Sequence, residues 1–340
     1  MKIVGCDFHS RYQQIAMLDR ETGEVVELRL EHATGEAEAF YAGLRGPVRV
    51  GIEATGYTQW FERLLQKLGH ELWVGDAAEI RASMVRKQKN DERDAAHILD
   101  LLSEGRFPRI WMPGLAERDL RQLIVHRMRM VQWRTRIQNQ LHAVAMGQGL
   151  CQKKKLWSAR GREKLEQLPL DRWAGRRRQE LLELLDRLNS SIQELDQAVA
   201  EQARSHASAA RLMTHPGVGP NTSLAFVLTL GPVDRFPGSK QVVSYVGLNP
   251  REHSSGGRQR MGAISKQGSS LLRWLLVEAG QSAAQRDAQL RRLYQRIRAR
   301  RGSQIAKVAV ARKLAVRLYW MLRTQANYAE LCARQVRHAG

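Results

Sequence analysis

The first 110 residues alternate between short apolar stretches and longer amphipathic ones. Apolar or alternating stretches predict five strands, at 2–7, 13–18, 25–30, 48–52 and 71–75. Amphipathic stretches predict helices at 34–44, 58–68 and 91–102. Gly46-Pro47, Gly69 and Gly105 follow these three helices, and such residues commonly end helices. The pattern therefore predicts an α/β domain.

The order of these elements is informative about the fold. Three consecutive strands are followed by helix, strand, helix, strand and helix, which is the order of a ribonuclease H-like domain. In that arrangement the first and fourth strands are neighbours. We therefore expect the helix that begins at Asp91 to pack across this pair of strands.

The remainder of the chain is predominantly helical in pattern. Residues 117–145 and 175–203 each predict a long helix. The second has a heptad seam, formed by Leu181, Leu185, Leu188, Ile192, Leu195 and Val199. An antiparallel coiled-coil hairpin and a coiled coil between two copies of the chain both fit this seam. Further helices are predicted at 224–230, at 270–300 with a break, and at 303–324.

These patterns predict an α/β plus α chain with three regions. Residues 1–110 form the ribonuclease H-like domain, 111–205 a helical coiled-coil region, and 206–340 a mainly helical C-terminal domain.

Charge is distributed unevenly over these regions. The 340 residues include 55 Lys and Arg against 34 Asp and Glu, a net charge of +21. Residues 1–110 carry −3, 111–210 carry +7 and 211–340 carry +17. The surplus predicts a polyanionic partner, with nucleic acid as the first candidate. An acidic module beside a basic one is what a protein needs if it must hold cations next to phosphate.

Composition excludes several classes of protein. The 43% hydrophobic and 26% charged content rules out wholesale disorder. No apolar run approaches the roughly 20 residues of a membrane helix, so we expect no membrane partner. The cysteines are three and widely spaced, and Asp7 falls where a secretory signal would be apolar. We therefore expect a cytoplasmic location.

Four acids lie where predicted elements of the first domain begin or end. Asp7 ends the first strand, Glu53 follows the fourth, and Asp91 and Asp94 share one face of a helix start. Gathered together, these carboxylates would repel one another unless divalent ions neutralised them. Two such ions are a common device in phosphoryl transfer, and oxygen ligands favour Mg²⁺ or Mn²⁺. Taken singly, Asp91 is interpreted as a helix N-cap and Asp94 as a first-turn acid favouring the helix dipole.

A glycine hairpin in the last third is a candidate for binding phosphate. Gly217 and Gly219 precede a predicted helix, and their backbone N–H groups could face a nucleic-acid backbone. This resembles a helix-hairpin-helix element, which holds the backbone without reading bases. A plain turn between helices is the alternative.

Residues 247–268 place serines among glycines and cations. Ser254 and Ser255 are surrounded by basic residues that could contact phosphate, namely Arg251, Arg258, Arg260 and Lys266. A hydroxyl here could attack a phosphodiester while the cations stabilise the transition state. A loop that only binds phosphate is the other interpretation.

Together these motifs resemble the DEDD-type insertion-sequence transposases, the bridge-RNA-guided DNA recombinase family related to the pilin-gene DNA invertase. The resemblance is carried by Asp7, Glu53-Ala-Thr-Gly56, 89–95 (KNDERDA), His215-Pro-Gly-Val-Gly219 and 247–268. These motifs cover both ends of the chain, and the middle matches in helical character only.

The resemblance implies a Holliday-junction-resolvase-like domain joined to a C-terminal transposase domain. Such proteins cut and rejoin DNA through a phosphoserine intermediate, with assistance from metal. Mapped onto this chain, the metal ligands are Asp7, Glu53, Asp91 and Asp94, and the nucleophile is Ser255, with Ser254 as the alternative. The partners implied are target and donor duplex DNA, a guide noncoding RNA from the element, and copies of the chain in a tetramer built of dimers. The implied location is the bacterial cytoplasm, at the nucleoid.

Two other functions remain open at this level. A metal-only junction-resolving endonuclease would use water as its nucleophile, and would need the acids but not the serine. A nucleic-acid-binding protein without catalytic activity would use the basic residues alone, and its binding would be indifferent to the four acids.

Overall fold

The structure is a computed structural model that describes residues 1–84, 90–151, 155–252 and 260–337. It divides into two compact units, Met1–Met112 and Pro113–Gly340. The first unit contains a five-stranded sheet, and the second is built mostly of helices. The predicted division at residue 205 stays a prediction.

The sheet of the first unit has the strand order β3-β2-β1-β4-β5. Its strands are β1 (Lys2–Phe8), β2 (Tyr12–Asp19), β3 (Val25–Glu31), β4 (Val48–Glu53) and β5 (Glu71–Gly75). The first three strands pair antiparallel, whereas β4 pairs parallel with β1 and β5 parallel with β4. The predicted neighbourhood of the first and fourth strands is thereby confirmed, and the topology is compatible with a ribonuclease H-like domain.

In the described part of the first unit, four helices accompany this sheet: α1 (Glu36–Gly43), α2 (Gln59–Lys67), α3 (Ala77–Ser83) and α4 (Asp91–Ser103). Three of them were predicted, and α3 was not. It is only seven residues long and is capped by Asp76, whose carboxylate accepts hydrogen bonds from the N–H groups of Ala78 and Glu79. So short an element has too few residues to establish a helical period.

Side chains of β1 alternate between two hydrophobic cores, one on each face of the sheet. Val4 and Cys6 belong to a cluster with Tyr41 and Phe61, on the face covered by α1 and α2. Ile3 belongs to a second cluster with residues of α4, on the opposite face. Because side chains alternate along a strand, odd-numbered residues of β1 point toward α4. Asp7 is one of them.

A pair of glycines fixes how closely α4 approaches the sheet. Gly5 and Gly51 are register partners on β1 and β4. A Cβ on Gly5 would lie 2.3 Å from the carbonyl oxygen of Ala95, and one on Gly51 would lie 2.6 Å from Leu102. The absence of side chains at these two positions therefore lets α4 lie directly on the strands, as expected for the helix that starts at Asp91.

The second unit contains the remaining helices and a small hairpin. The helices are α5 (Leu115–Gly147), α6 (Ala159–Glu166), α7 (Arg172–Ser205), α8 (Ala207–Leu212), α9 (Pro220–Leu230), α10 (Ser239–Tyr245), α11 (Ser270–Arg286), α12 (Ala288–Arg301), α13 (Ser303–Arg323) and α14 (Tyr328–Arg337). The hairpin strands are β6 (Pro250–Glu252) and β7 (Met261–Ile264). No helix in the described part of the chain is both long and apolar enough to cross a membrane.

The two long helices α5 and α7 pack antiparallel within one chain. Arg127 pairs with Asp196 at 2.8 Å, and Arg177 donates a hydrogen bond to Gln140 at 3.1 Å, so the helices run in opposite directions. Most of the predicted seam is buried, namely Leu181, Leu185, Ile192 and Val199. Coiled-coil packing of the seam, and pairing between copies of the chain, stay predictions.

A buried polar network joins the ends of several helices in the second unit. Arg317, 3% exposed, pairs with Asp287 at 3.1 Å in the break between α11 and α12. Asp287 also caps α12 and accepts a hydrogen bond from the hydroxyl of Tyr328. Nε2 of His215 lies 3.4 Å from the Arg317 guanidinium. Burial, together with this neighbouring cation, lowers the pKa of His215 to about 4.

Candidate functional site

The close approach of α4 brings two predicted acids together beside a histidine. Nε2 of His9 lies 3.0 Å from Oδ2 of Asp7 and 3.5 Å from Oδ2 of Asp91. One potential ligand atom from each of the three residues lies within 4.8 Å of the other two. Asp7 is supplied by the end of β1 and Asp91 by the first residue of α4, so the Gly5 contact sets their separation.

A tyrosine from β2 orients this cluster. The hydroxyl of Tyr12 donates a hydrogen bond of 2.8 Å to Oδ2 of Asp91. Its ring stacks against His9 with a centroid separation of 4.7 Å, and the Arg29 guanidinium lies 3.7 Å above the same ring. The side chains of Asp91 and His9 are therefore both held by Tyr12.

The interpretation of Asp91 as a helix N-cap is wrong. Asn90 is the N-cap of α4, and its side-chain oxygen accepts a hydrogen bond from the backbone N–H of Glu92. Because Asn90 satisfies this free donor of the first turn, the Asp91 carboxylate is left to interact with Tyr12 and His9.

The electrostatics of the cluster favour a bound cation. Burial raises the pKa of Asp7, the charges of Asp91 and Asp94 raise it further, and His9 works in the opposite direction. A carboxylate in this setting is costly to ionise without a compensating positive charge. The carboxylate oxygens of Asp7 and Asp91 are also suitable donors for a divalent ion such as Mn²⁺ or Mg²⁺. The residues present therefore fit a divalent metal.

Glu53 ends the strand next to Asp7 but has a partner of its own. The paired register of β1 and β4 ends at Cys6 and Ile52, so Asp7 and Glu53 are the next residues on neighbouring strands. The Glu53 carboxylate is 39% exposed and lies 3.6 Å from the guanidinium of Arg81 on α3. Asp94 is half-buried on α4, near enough for its charge to act on Asp7. Metal binding by Glu53 and Asp94 stays a prediction.

One member of the cluster, His9, and the tyrosine that orients it, Tyr12, were missed in the sequence. His9 follows Asp7 by two residues, so strand alternation places both on one side, and this signal was present. Tyr12 reaches Asp91 across 79 positions of sequence, a contact for which the local pattern holds no signal. Arg81 was missed because α3 was missed.

The serine motif of the second unit is only partly described. Ser254, Ser255 and Arg258 lie outside the described residues, between strands β6 and β7. Before this segment, Arg251 donates a hydrogen bond of 3.2 Å to the carbonyl of Ser265. After it, Arg260 is exposed and Lys266 adopts a positive φ of 58°. Phosphate binding by these basic residues stays a prediction.

The glycine hairpin joins α8 to α9, and one of its glycines is required by packing. Gly217 has φ of 86°, and a Cβ there would lie 2.4 Å from the backbone nitrogen of Ala283 on α11. Gly219 is the N-cap of α9, and a Cβ there would meet no atom within 4 Å. Close packing therefore explains Gly217, while a role of either glycine in binding a nucleic-acid backbone stays a prediction.

Two family models match the chain. Residues 4–147 match a model described as a transposase of the DEDD type in the IS110 group, and this range includes Asp7, Glu53, Asp91 and Asp94. Residues 209–295 match the model described as the transposase IS116/IS110/IS902 family, which includes the glycine hairpin and the serine motif.

Curated relatives match over most of their length. A probable family 20 transposase of Pseudomonas aeruginosa is 28% identical, over 94% of this chain and 96% of that protein. The transposase for insertion sequence element IS1111A of Coxiella burnetii is also 28% identical, over 96% of this chain and 91% of that protein. A putative transposase of Sinorhizobium fredii is 29% identical, over 82% and 73% respectively.

The acids carried by β1 and α4 thus lie within one matched domain and the serine motif within the other. The chain belongs to the IS110/IS116 family of transposases.

Proposed function

We propose that this transposase cuts and rejoins DNA strands through a phosphoserine intermediate, with a divalent ion held at the Asp7–His9–Asp91 cluster. The observation that supports the proposal is the convergence of these three side chains at the end of β1, within 4.8 Å of one another. Burial raises the pKa of Asp7 and the neighbouring Asp91 carboxylate raises it further, a cost of ionisation that a bound divalent ion would offset.

In this proposal the residues around the cluster have separate roles. Asp7 and Asp91 hold the ion, and Tyr12 keeps the Asp91 carboxylate in place through its 2.8 Å hydrogen bond. Glu53 and Asp94 complete the ligand set, and Glu53 exchanges Arg81 for the ion when it does so. The bound ion would stabilise negative charge on a phosphate oxygen or on a leaving group. Mg²⁺ is our first candidate and Mn²⁺ the second.

Ser255 is the proposed nucleophile of the strand-cutting step. Its Oγ attacks a backbone phosphorus, a bond from Oγ to phosphorus forms, and the bond from phosphorus to the 3′ oxygen breaks. The hydroxyl proton leaves the serine and the 3′ oxygen gains a proton, so the step balances without a further reactant. Attack of a 3′ hydroxyl on the phosphoserine reverses the step and joins a new strand.

The proposed partners beyond DNA rest on the family resemblance. We propose that a structured noncoding RNA selects target and donor sites by base pairing, and that the active assembly is a tetramer. Both are tested on the protein purified without nuclease treatment. Sequencing of copurifying RNA should recover a transcript adjacent to the gene, and mass photometry with that RNA should give the tetramer mass.

The decisive experiment follows the protein–DNA adduct. Labelled donor DNA is incubated with the wild type, Ser255→Ala, Ser254→Ala and Asp7→Asn, and adducts are resolved on denaturing gels. We expect an adduct with the wild type and Ser254→Ala, and none with Ser255→Ala or Asp7→Asn. Asp100→Asn is the matched control, since Asp100 is an exposed acid on the same helix as Asp91.

Two outcomes would contradict the proposal. Cleavage by Ser255→Ala at the wild-type rate, with loss only in the acid variants, would indicate a metal-only endonuclease with water as nucleophile. An adduct formed normally by Asp7→Asn would remove the metal site from the mechanism.

A further inference from the structure

Helix α12 has a strongly basic surface that the proposed chemistry does not use. The helix has 14 residues, Ala288 to Arg301, and no acidic residue. Six of the 14 are arginines, and all six are exposed: Arg291, Arg292, Arg296, Arg298, Arg300 and Arg301. This is a denser set of cations than helix solubility requires.

A narrow apolar stripe holds the helix in place. Leu290 is buried in a cluster with residues of α11 and α13, and Leu293 and Tyr294 pack against the same cluster. At about 100° per residue, these three side chains lie on one side of the helix. Ile297 lies on the same side and is half-buried, and the remaining residues of α12 are exposed to solvent.

The arginines flank the exposed side in two rows. Successive residues of a helix are rotated by about 100°, which places Arg291 and Arg298 along one flank and Arg296 and Arg300 along the other. Between the rows the exposed surface carries Ala288, Gln295 and Ala299, together with a further arginine, Arg292, which lies about 100° from Arg291. The exposed surface of α12 is therefore positively charged along both flanks and, through Arg292, between them.

Helix stability does not account for this arrangement. Cations in the last turn suit the helix dipole, which explains Arg298, Arg300 and Arg301. Arg291 and Arg292 lie in the first turns, where the dipole disfavours them. Among the described residues, the ion pairs involve none of the six arginines, and Arg291 and Arg292 donate hydrogen bonds to backbone carbonyls of α11 and α12.

We propose that α12 binds duplex DNA by its backbone, with the two rows of arginines contacting phosphates of opposite strands across one groove. The major groove admits a single α-helix, and phosphates line both of its walls. A convex helix face with guanidinium groups on both flanks and between them is complementary to that shape and charge. Contacts to phosphates position the protein without reading sequence.

The test measures binding of a labelled duplex of arbitrary sequence by fluorescence anisotropy, in EDTA and over a series of salt concentrations. The variant is Arg296→Gln, Arg298→Gln and Arg300→Gln combined, because glutamine keeps helix propensity and removes the charge. We expect the Kd to rise at least about tenfold, and the negative slope of log K against log salt to decrease in magnitude by about 1 for each lost contact. EDTA makes the result independent of the metal chemistry proposed above.

The matched control removes three exposed arginines from α5 and α7, as Arg129→Gln, Arg136→Gln and Arg187→Gln. This control variant loses the same three positive charges as the α12 variant. If α12 is the binding site, the Kd of the control for DNA should stay within about twofold of the wild-type Kd. An equal loss in both triple variants would overturn the proposal, because only total charge would then matter. Wild-type DNA binding by the α12 variant, with loss of duplex RNA binding instead, would also overturn it. Thermal unfolding at the wild-type temperature verifies that each variant folds.

Discussion

At the scale of single residues, two histidines with close charged neighbours give the sharpest evidence. His9 and His215 illustrate two different uses of a histidine. His9 is 33% exposed and lies between two carboxylates of the candidate metal cluster. His215 is 1% exposed and lies beside the buried guanidinium of Arg317. The first faces a site and the second holds helices together.

We expect the stability of the fold to fall in acid partly through His215. Its pKa is lowered to about 4, whereas an unfolded histidine titrates near 6.5. Between these values the unfolded chain binds a proton that the folded chain does not, so stability falls as the pH drops through this window. The loss from this residue is up to about 3 kcal/mol by pH 4.

Urea unfolding at pH 7, 5 and 4 measures this effect. His215→Gln should lose less free energy of unfolding than the wild type between pH 7 and 4, although it is less stable at pH 7. His126→Gln, an exposed histidine on α5, is the control and should follow the wild type. Equal acid sensitivity of His215→Gln and the wild type would show that His215 protonates freely in the folded state.

At the scale of elements, the contact of α4 with β1 determines the site. Local patterns were sufficient to predict α4 and the strands of the sheet, because burial on one face leaves a period in the sequence. The order of these elements, which is that of a ribonuclease H-like domain, predicted that strands β1 and β4 are neighbours. Local patterns could not predict how closely α4 approaches the sheet, because this distance depends on Gly5 and Gly51, which are register partners on β1 and β4.

We expect Gly5→Ala to be strongly destabilising. The new Cβ would lie 2.3 Å from the Ala95 carbonyl oxygen and 2.4 Å from the Leu99 nitrogen, so α4 would have to move away from β1. Overpacking of this kind costs about 1–3 kcal/mol or more. Gly43→Ala, at the end of α1 with no neighbour within 4 Å of the new Cβ, should be neutral or slightly stabilising. Chemical denaturation of both variants tests this, and equal stabilities would contradict the proposed close contact.

At the scale of the whole molecule, charge and chemistry are assigned to different units. The candidate metal cluster lies in the unit formed by residues 1–112, while the surplus of positive charge lies in residues 113–340. Composition was sufficient to predict a polyanionic partner, with nucleic acid as the first candidate, because a charge balance does not depend on folding.

This separation predicts that metal and DNA binding are experimentally separable. EDTA should abolish strand cutting by the wild type, and Asp7→Asn should do the same in the presence of Mg²⁺. Both should leave the Kd for duplex DNA within about twofold of the untreated wild type. Binding by anisotropy and cutting on denaturing gels are measured on the same samples. A large loss of DNA affinity in EDTA would place the metal within the binding surface instead.

The sequence by itself determined two kinds of feature: the helices and strands, which leave a local period of buried residues, and the net charge, which is a sum over the chain. Periods of burial determined the order of the strands and most helices, and the charge count determined the class of partner. The motifs were sufficient to identify the family, because a motif consists of residue types at fixed spacings and these can be identified without knowing the fold.

Only the tertiary structure decided which side chains meet. It placed Tyr12 against Asp91, Arg81 against Glu53 and Arg317 beside His215, pairs that are 28 to 102 positions apart. It also assigned the N-cap of α4 to Asn90 rather than to Asp91. Such contacts depend on how the helices and strands pack together. The sequence of one segment shows which of its own residues will be buried, but it does not show which residue of another segment will contact them.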